Sequence, residues 1–255
     1  MGPEVHVAES AGALAADVAS RLVPALARAQ QAHGRAALAL TAGSIMERVW
    51  TALAADPVAR DVDWARVDVF WGDERFVPAG SDDRNDAPAE RLLFGSEPFA
   101  SAVRYSMPAS GAEFGDDLDA AAAGYAATLR SARRADDTAD VPSFDVVLLG
   151  IGPDGHCCSL FPDHPSSSDL TDQSVPVISV RDSPKPPPLR ISFSFDTLNT
   201  AREIWVVVSG SGKAEAAARA LAGADRTAVP SAGAQGRERT LWLLDRDAAA
   251  RLVRS

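Results

Sequence analysis

The chain has 255 residues, enough to bury a substantial core, and its hydrophobic fraction of 46% and charged fraction of 24% are ordinary for a globular protein. Its net charge of −10 argues against nucleic acid or an anionic membrane as a general partner. Cys157 and Cys158 are adjacent and cannot join distant segments, and the sequence has no apolar run that spans a bilayer, so we expect a cytoplasmic protein.

The chain begins with a strand signal and a long helix signal. Residues 5–8 predict an edge strand. Ser10 is a predicted N-cap, and apolar residues then recur every four positions until Gly34 ends the helix, with Pro24 as a possible kink.

The next segment combines a strand, a turn of small residues and a helix. Residues 36–40 predict the strand, and residues 45–54 predict the helix. Amides at a helix start attract anions, so Gly43 and Ser44 in the turn between them are candidate phosphate ligands. An ordinary turn between a strand and a helix explains this segment equally well.

A third strand, predicted over residues 67–71, leads into three consecutive charged residues. Arg75 is placed to bind a phosphate or a carboxylate at the same sheet edge. Asp73 or Glu74 would anchor Arg75 rather than take part in chemistry. Further helices are predicted over residues 87–94 and 116–130.

The stretch richest in candidate chemistry follows a predicted buried strand at residues 144–149. Asp154 and His156 come directly after it, in a loop whose glycines allow a ligand to approach the backbone. Histidine titrates near neutrality and is the natural general base, and Asp154 is placed to orient it. The amides near Gly152 and Gly155 are predicted donors to an oxyanion.

The same loop fits the pattern G-x-G-x-x-G that is typical of dinucleotide sites. That pattern belongs on a first strand and opens into a helix, whereas here it lies halfway along the chain and continues as loop. We therefore predict no dinucleotide cofactor. A metal site at residues 156–158 is disfavoured too, because consecutive side chains point in divergent directions.

The C-terminal part predicts strands over residues 175–180, 191–195, 203–208 and 240–244. The proline-rich segment 183–188 is predicted to aim Arg190 inward. Lys213 follows a glycine turn at a helix start and is a candidate phosphate ligand; its helix is predicted over residues 214–221. A closing helix is predicted over residues 245–253, capped by Asp245.

This alternation of strands and helices predicts an α/β fold. We expect one domain over residues 1–255, built as a single doubly wound, mainly parallel, Rossmann-like sheet with helices on both faces.

Five motifs together resemble the 6-phosphogluconolactonase family, which belongs to the sugar-phosphate isomerase superfamily. They are the turn Thr-Ala-Gly-Ser at 41–44, Trp-Gly-Asp-Glu-Arg-Phe-Val-Pro at 71–78, the 149–162 stretch, Arg-Ile-Ser at 190–192 and Gly-Ser-Gly-Lys at 210–213. The related glucosamine-6-phosphate deaminases typically carry Asn-Glu-Pro after the histidine, whereas this chain has Ser-Leu-Phe-Pro at 159–162. The family's first turn is usually Ser-Gly-Gly-Ser, so Ala42 is a departure.

The resemblance implies hydrolysis of 6-phospho-D-glucono-1,5-lactone in the oxidative pentose phosphate pathway, without metal or cofactor. It implies His156 as base with Asp154, and Arg190 at the substrate or its developing charge. Arg75, Lys213, Gly43 and Ser44 would hold the phosphate. The expected partner is the phosphorylated sugar lactone, with the protein a monomer or a small homo-oligomer. A deaminase or isomerase and a non-enzymatic sugar-phosphate sensor stay open as alternatives.

Overall fold

The computed structural model describes residues 2–135, 137–168, 172 and 174–252. Its strands are β1 (Glu4–Ala8), β2 (Ala36–Leu40), β3 (Val67–Trp71), β4 (Asp73–Arg75), β5 (Val103–Tyr105), β6 (Val146–Leu149), β7 (Val177–Val180), β8 (Arg190–Phe193), β9 (Glu203–Val208) and β10 (Arg239–Asp245). Its α-helices are α1 (Ala11–His33), α2 (Ser44–Ala55), α3 (Asp86–Ala89), α4 (Leu118–Ser131), α5 (Phe195–Leu198) and α6 (Ala214–Leu221).

Seven strands form a sheet in the order β1-β10-β9-β6-β2-β3-β5, and every neighbouring pair in it is parallel. From β2 the chain adds β3 and β5 on one side, then crosses back to place β6, β9 and β10 on the other. The winding therefore reverses between β2 and β6, where doubly wound sheets form their ligand crevice. The predicted α/β fold is confirmed.

A second sheet corrects the prediction of a single one. β4, β8 and β7 pair as a separate antiparallel sheet. Gly72 lies at the junction: its amide donates to the carbonyl of Leu40 at 2.8 Å, and its carbonyl accepts from the amide of Phe193 at 2.8 Å. A Cβ at Gly72 would lie 2.9 Å from Sγ of Cys158, so a side chain does not fit where the chain passes between the sheets.

The first helix matches its prediction. Ser10 Oγ accepts from the amide of Ala13 at 3.2 Å, and Gly34 ends the helix with a φ of 77°. The helix continues through Pro24, and it buries a stripe of apolar side chains against α2 and β2: Leu14, Val18, Leu22 and Leu26.

Two helix predictions differ from the structure. The segment predicted as a helix over 87–94 starts as α3 and then widens into a π-turn over Glu90–Phe94. The predicted closing helix is wrong over its described part, because residues 246–252 form turns and a bend; Val253 lies outside the described residues. The Asp245 carboxylate does accept from the Ala248 amide, but it also binds Ser209 Oγ and the Gly210 amide, so it ties two strand ends together.

The hydrophobic core is one continuous cluster that reaches from α1 to β10. Within it, the fully buried Tyr125 of α4 fixes the ends of two strands: its hydroxyl accepts from the amide of Trp71 at 3.2 Å and donates to the carbonyl of Tyr105 at 2.9 Å. None of the helices in the described residues has the length and apolar character that a membrane crossing requires.

We expect Tyr125→Phe to lower the free energy of unfolding by about 1–3 kcal/mol, because it leaves the buried amide of Trp71 without its acceptor. Urea denaturation measures this change. The matched control is Tyr105→Phe, which keeps that residue's carbonyl and its ring, stacked 4.6 Å from Phe70. Equal stability losses in the two variants would show that the Tyr125 hydroxyl contributes nothing specific.

Candidate active site

The candidate site lies beyond the carboxyl ends of β2 and β6, where the winding of the large sheet reverses. Thr41 joins the two strand ends: its hydroxyl donates to the carbonyl of Leu148 and accepts from the amide of Gly150, each at 3.1 Å. This pair of bonds fixes the first turn of small residues against the loop that carries the histidine.

A cavity of about 280 Å³ opens at this point. Six of the predicted site residues line it: Gly43, Arg75, Gly152, His156, Arg190 and Lys213. The other three, Ser44, Asp154 and Gly155, are next to lining residues in the chain. The structure therefore brings together segments that are far apart in the sequence.

A larger and more open depression, of about 1140 Å³, lies between β1, α6 and the C-terminal turns. The described residues that line it are apolar except for Arg246 and Arg251, and none of them is a histidine, an acidic residue or a cysteine. The smaller cavity is the candidate active site because it holds the groups that can transfer protons and bind anions.

His156 is held by a direct hydrogen bond from its Nδ1 to Oδ1 of Asp154, at 2.6 Å. The loop around this pair closes on itself: the amide of Gly152 donates to the carbonyl of His156 at 2.9 Å, and the amide of Gly155 donates to the carbonyl of Gly152 at 3.0 Å. Gly155 has a φ of +89°, which favours glycine.

These bonds correct the role predicted for Gly152 and Gly155. Both amides are already engaged within the loop, so they are not free to stabilise an oxyanion. Gly152 instead gives space, since a Cβ there would lie 2.1 Å from Nδ1 of His156 and 2.3 Å from Oδ1 of Asp154. The pair exists in this geometry because position 152 has no side chain.

The short contact also fixes the proton on the histidine ring. A carboxylate only accepts, so the proton between the two atoms belongs to Nδ1, and in the neutral ring Nε2 is then the acceptor. Burial acts to raise the pKa of Asp154, but the hydrogen bond from His156 and the charges of His156 and Lys185 hold that pKa well below its usual range. Asp154 is therefore ionised at neutral pH.

Phe161 supports the ring from behind. Its own ring is fully buried, lies 4.9 Å from that of His156, and also lies 5.6 Å from the guanidinium carbon of Arg190. One aromatic side chain thus spaces the histidine from the cation on β8.

Arg190 is only 4% exposed and lines the cavity, as predicted. Its Nε and Nη2 donate to the carbonyls of Lys185, Pro186 and Pro187 at 3.0–3.2 Å, and its Nη1 lies 4.0 Å from Oδ2 of Asp73. The proline-rich segment was predicted to aim Arg190 inward; the side chain is buried, and its hydrogen bonds also hold that segment in place. Burial lowers the pKa of Arg190, against the raising effect of Asp73.

Arg75 is anchored differently from the prediction. Its Nη1 donates to the carbonyl of Asp83 at 2.6 Å, rather than to the side chain of Asp73 or Glu74. Its Nε is buried without a hydrogen-bond partner among the described residues, and the residue lines the cavity.

Glu74 holds the segment behind Arg75. Its buried carboxylate accepts from the amides of Arg75, Asn85 and Asp86 at 2.6–3.1 Å and lies 3.5 Å from Arg84. Burial raises the pKa of Glu74 to about 7, although the Arg84 charge and the amides act to lower it. Glu74 is thus a structural support of the cavity wall.

Two helix starts also border the cavity. Gly43 precedes α2 with a φ of 138°, and no side chain caps the first amides of that helix. Lys213 precedes α6, and its pKa is lowered by burial and by the nearby charge of Lys185, with Asp245 acting in the other direction. The charge of Lys213 and the uncapped amides of α2 suit this part of the cavity to an anion.

Two lining residues were missed by the sequence analysis. Lys185 places Nζ 3.0 Å from Nδ1 of His156 and 3.2 Å from Asp154. Asn85 donates through Nδ2 to the carbonyl and the carboxylate of Asp73, and its Oδ1 is buried with no partner among the described residues. Lys185 carried a signal, since the chain has only two lysines, whereas Asn85 carried none.

Cys157 and Cys158 are buried, free thiols, and burial raises the pKa of Cys157 to about 12. A protonated, buried thiol is a poor nucleophile or metal ligand. Within the described part of the chain, no group of three or more histidine, cysteine or acidic side chains is arranged to hold a metal ion.

Comparison with known proteins gives one consistent result. The profile of the family described as glucosamine-6-phosphate isomerases/6-phosphogluconolactonase matches residues 9–242. A protein of Streptomyces coelicolor named 6-phosphogluconolactonase is 44% identical over 99% of this chain and 96% of its own length. One of the same name from Mycobacterium tuberculosis is 44% identical over 99% of each chain. The solved 6-phosphogluconolactonase of Trypanosoma brucei superposes with a TM-score of 0.83 at 27% identity, covering 98% of this chain and 99% of that one.

Proposed function

The chain belongs to the family of glucosamine-6-phosphate isomerases and 6-phosphogluconolactonases, and from that premise we propose that it hydrolyses 6-phospho-D-glucono-1,5-lactone to 6-phospho-D-gluconate. The observation that carries the proposal is the Asp154–His156 pair, which faces a cavity lined by cations. A lactone carbonyl is already electrophilic, so the enzyme has to supply a base, a partner for the oxyanion and a clamp for the phosphate.

His156 acts as the base. Nε2 takes a proton from a water molecule as the water oxygen attacks the lactone carbonyl carbon, which becomes tetrahedral. The bond from that carbon to the ring oxygen then breaks, and the imidazolium returns its proton to the leaving ring oxygen. The new carboxylic acid ionises to give 6-phosphogluconate. Asp154 keeps the ring in the tautomer that this sequence requires.

Arg190 stabilises the oxyanion in this proposal. Its Nε and Nη2 are occupied by the carbonyls of the 185–187 segment, which fixes the guanidinium plane. Among the described residues, the polar contact of Nη1 is its 4.0 Å approach to Asp73, so Nη1 remains as a rigidly held donor in the cavity wall. A donor that needs no reorganisation is the kind that lowers a barrier most.

The phosphate is held at the far end of the cavity by Lys213, Arg75 and the first amides of α2, at Gly43 and Ser44. The lowered pKa of Lys213 supports this assignment, because a desolvated ammonium beside a second one gains most from an anion. Arg75, which lines the same cavity, adds a further cation. In a chain with a net charge of −10, this local excess of cations selects an anionic substrate.

The whole chain works as one domain in this proposal, since its core is continuous. The reaction is a step of the oxidative pentose phosphate pathway. The buried free thiols fit the cytoplasmic setting predicted from the sequence.

The direct test follows 6-phosphogluconate formation from freshly prepared lactone in a coupled assay, with spontaneous hydrolysis subtracted. We expect turnover well above that background. The same protein given glucosamine 6-phosphate should release no ammonia. Ammonia release without lactone hydrolysis would replace the proposal with a deaminase.

We expect His156→Asn to lower kcat by about 10²–10⁴-fold, the usual contribution of a general base, with far-UV circular dichroism unchanged. His6→Asn is the matched control, since His6 lies on the edge strand β1, far from the cavity. Wild-type turnover in the His156 variant would overturn the assignment of the base.

We expect Lys213→Ala to lower kcat/KM for the phosphorylated lactone by roughly 10–100-fold, mainly through KM, because it removes a charge-assisted contact. The internal control is glucono-1,5-lactone without phosphate, whose slow hydrolysis should be unaffected. A KM for the phosphorylated lactone equal to that of the wild type would exclude Lys213 from the phosphate clamp.

A further inference from the structure

Lys185 is held over the catalytic pair by the fold of its own segment. Ser183 Oγ donates to the carbonyl of Lys185 at 2.8 Å, and the amide of Ser183 donates to the carbonyl of Pro188 at 3.1 Å. The buried Arg190 adds a bond from Nη2 to the same Lys185 carbonyl at 3.0 Å. Backbone bonds on both sides thus fix where the lysine side chain begins.

The lysine side chain ends between the two members of the pair. Nζ lies 3.2 Å from Oδ1 and 3.2 Å from Oδ2 of Asp154, and 3.0 Å from Nδ1 of His156. The side chains are partly exposed, at 37% for Lys185, 34% for Asp154 and 20% for His156. The ammonium therefore meets both groups at hydrogen-bonding distance, at the edge of the cavity.

Hydrogen-bonding chemistry places a proton on Nδ1 of His156. An ammonium has donors and no acceptor, and a carboxylate has acceptors only. If Nδ1 accepted from Lys185, it would face Asp154 at 2.6 Å with no proton between two lone pairs. With the proton on Nδ1, both the imidazole and the ammonium donate to Asp154, and Nε2 stays free.

The other charges around His156 leave this arrangement in place. Asp73, Arg75, Arg190 and Lys213 also line the cavity, with Phe161 between the histidine and Arg190. The Cys158 thiol is neutral, because burial raises its pKa well above its usual value. Among these groups, Asp154 and Lys185 make the charged contacts within hydrogen-bonding distance of the imidazole.

We propose that Lys185 is a positioning residue that acts through Asp154 and His156: its ammonium shares the Asp154 carboxylate with Nδ1–H and opposes protonation of Nε2. The consequence of this role of Lys185 for catalysis rests on the proposed function, whereas its effect on the titration of His156 does not.

Removing the ammonium has two effects on the protonation of His156, and both act in the same direction. The repulsion between Lys185 and an imidazolium disappears, and the full charge of Asp154 then acts on the imidazolium alone. Both changes favour the protonated histidine. Because the pair is partly exposed, we expect a rise of about one unit in the pKa of His156 rather than the larger shifts of buried sites.

The test is an NMR titration of the histidine rings in the full chain, which has four histidines, with His156 assigned by its absence in His156→Asn. In Lys185→Met the pKa of His156 should rise by about one unit, and in Lys185→Arg, which keeps the charge, it should move by much less. Lys185→Gln replaces the Met variant if the latter does not fold. Lys213→Met is the matched comparison, because it removes the chain's other lysine without touching the pair.

In Lys185→Met, the acid limb of the pH profile of kcat/KM should shift together with the His156 pKa measured by NMR. In Lys213→Met, KM should change and that limb should stay in place. An unchanged His156 pKa in both neutral Lys185 variants would overturn the proposal. A raised KM with an unmoved pKa would make Lys185 a substrate ligand instead. If the wild type showed no lactone hydrolysis, the proposed function would fail, and the NMR titration would still decide the role of Lys185.

Discussion

The site depends on a 2.6 Å hydrogen bond between Asp154 and His156, which are separated by a single residue in the sequence. Such a bond requires the backbone between them to turn back sharply. The chain achieves this at the carboxyl end of β6, where the amides of Gly152 and Gly155 close the loop and a missing side chain at 152 leaves room for the imidazole. The catalytic chemistry proposed here follows from that packing, because the bond fixes which nitrogen carries the proton.

The cavity beside this hydrogen bond is rich in cations, although the chain as a whole is acidic. The protein carries a net charge of −10, yet its cavity gathers two lysines and two arginines. These cations differ in their hydrogen-bond partners: Arg190 and Arg75 donate to backbone carbonyls, whereas Lys185 is paired with the Asp154 carboxylate. A cation tied to carbonyls keeps its charge unneutralised, which suits it to an anionic ligand.

Sequence patterns predicted the parts of the site that sit at strand ends. Parallel strands end at one edge of the sheet, so residues 43, 75, 156 and 213 were expected together, and they line one cavity. The separate antiparallel sheet was not predictable in the same way, because alternation along β7 and β8 indicates strands but not their partners. The position of Lys185 depends on hydrogen bonds from Arg190 to nearby carbonyls. The engagement of the glycine amides depends on hydrogen bonds within one loop. Neither kind of contact can be read from the spacing of residues in the sequence.

The proposed mechanism requires the placement of His156, and not merely its presence. The most direct measurement compares lactone hydrolysis by Gly152→Ala and Gly212→Ala, since a methyl group at 152 would meet Nδ1 of His156 at 2.1 Å and one at 212 meets nothing within 4 Å. If the imidazole is displaced by about 1 Å, kcat of Gly152→Ala should fall by about 10²-fold. The unfolding midpoint should still show a folded protein. Gly212→Ala should keep a kcat near that of the wild type. Wild-type kcat in Gly152→Ala would contradict the account.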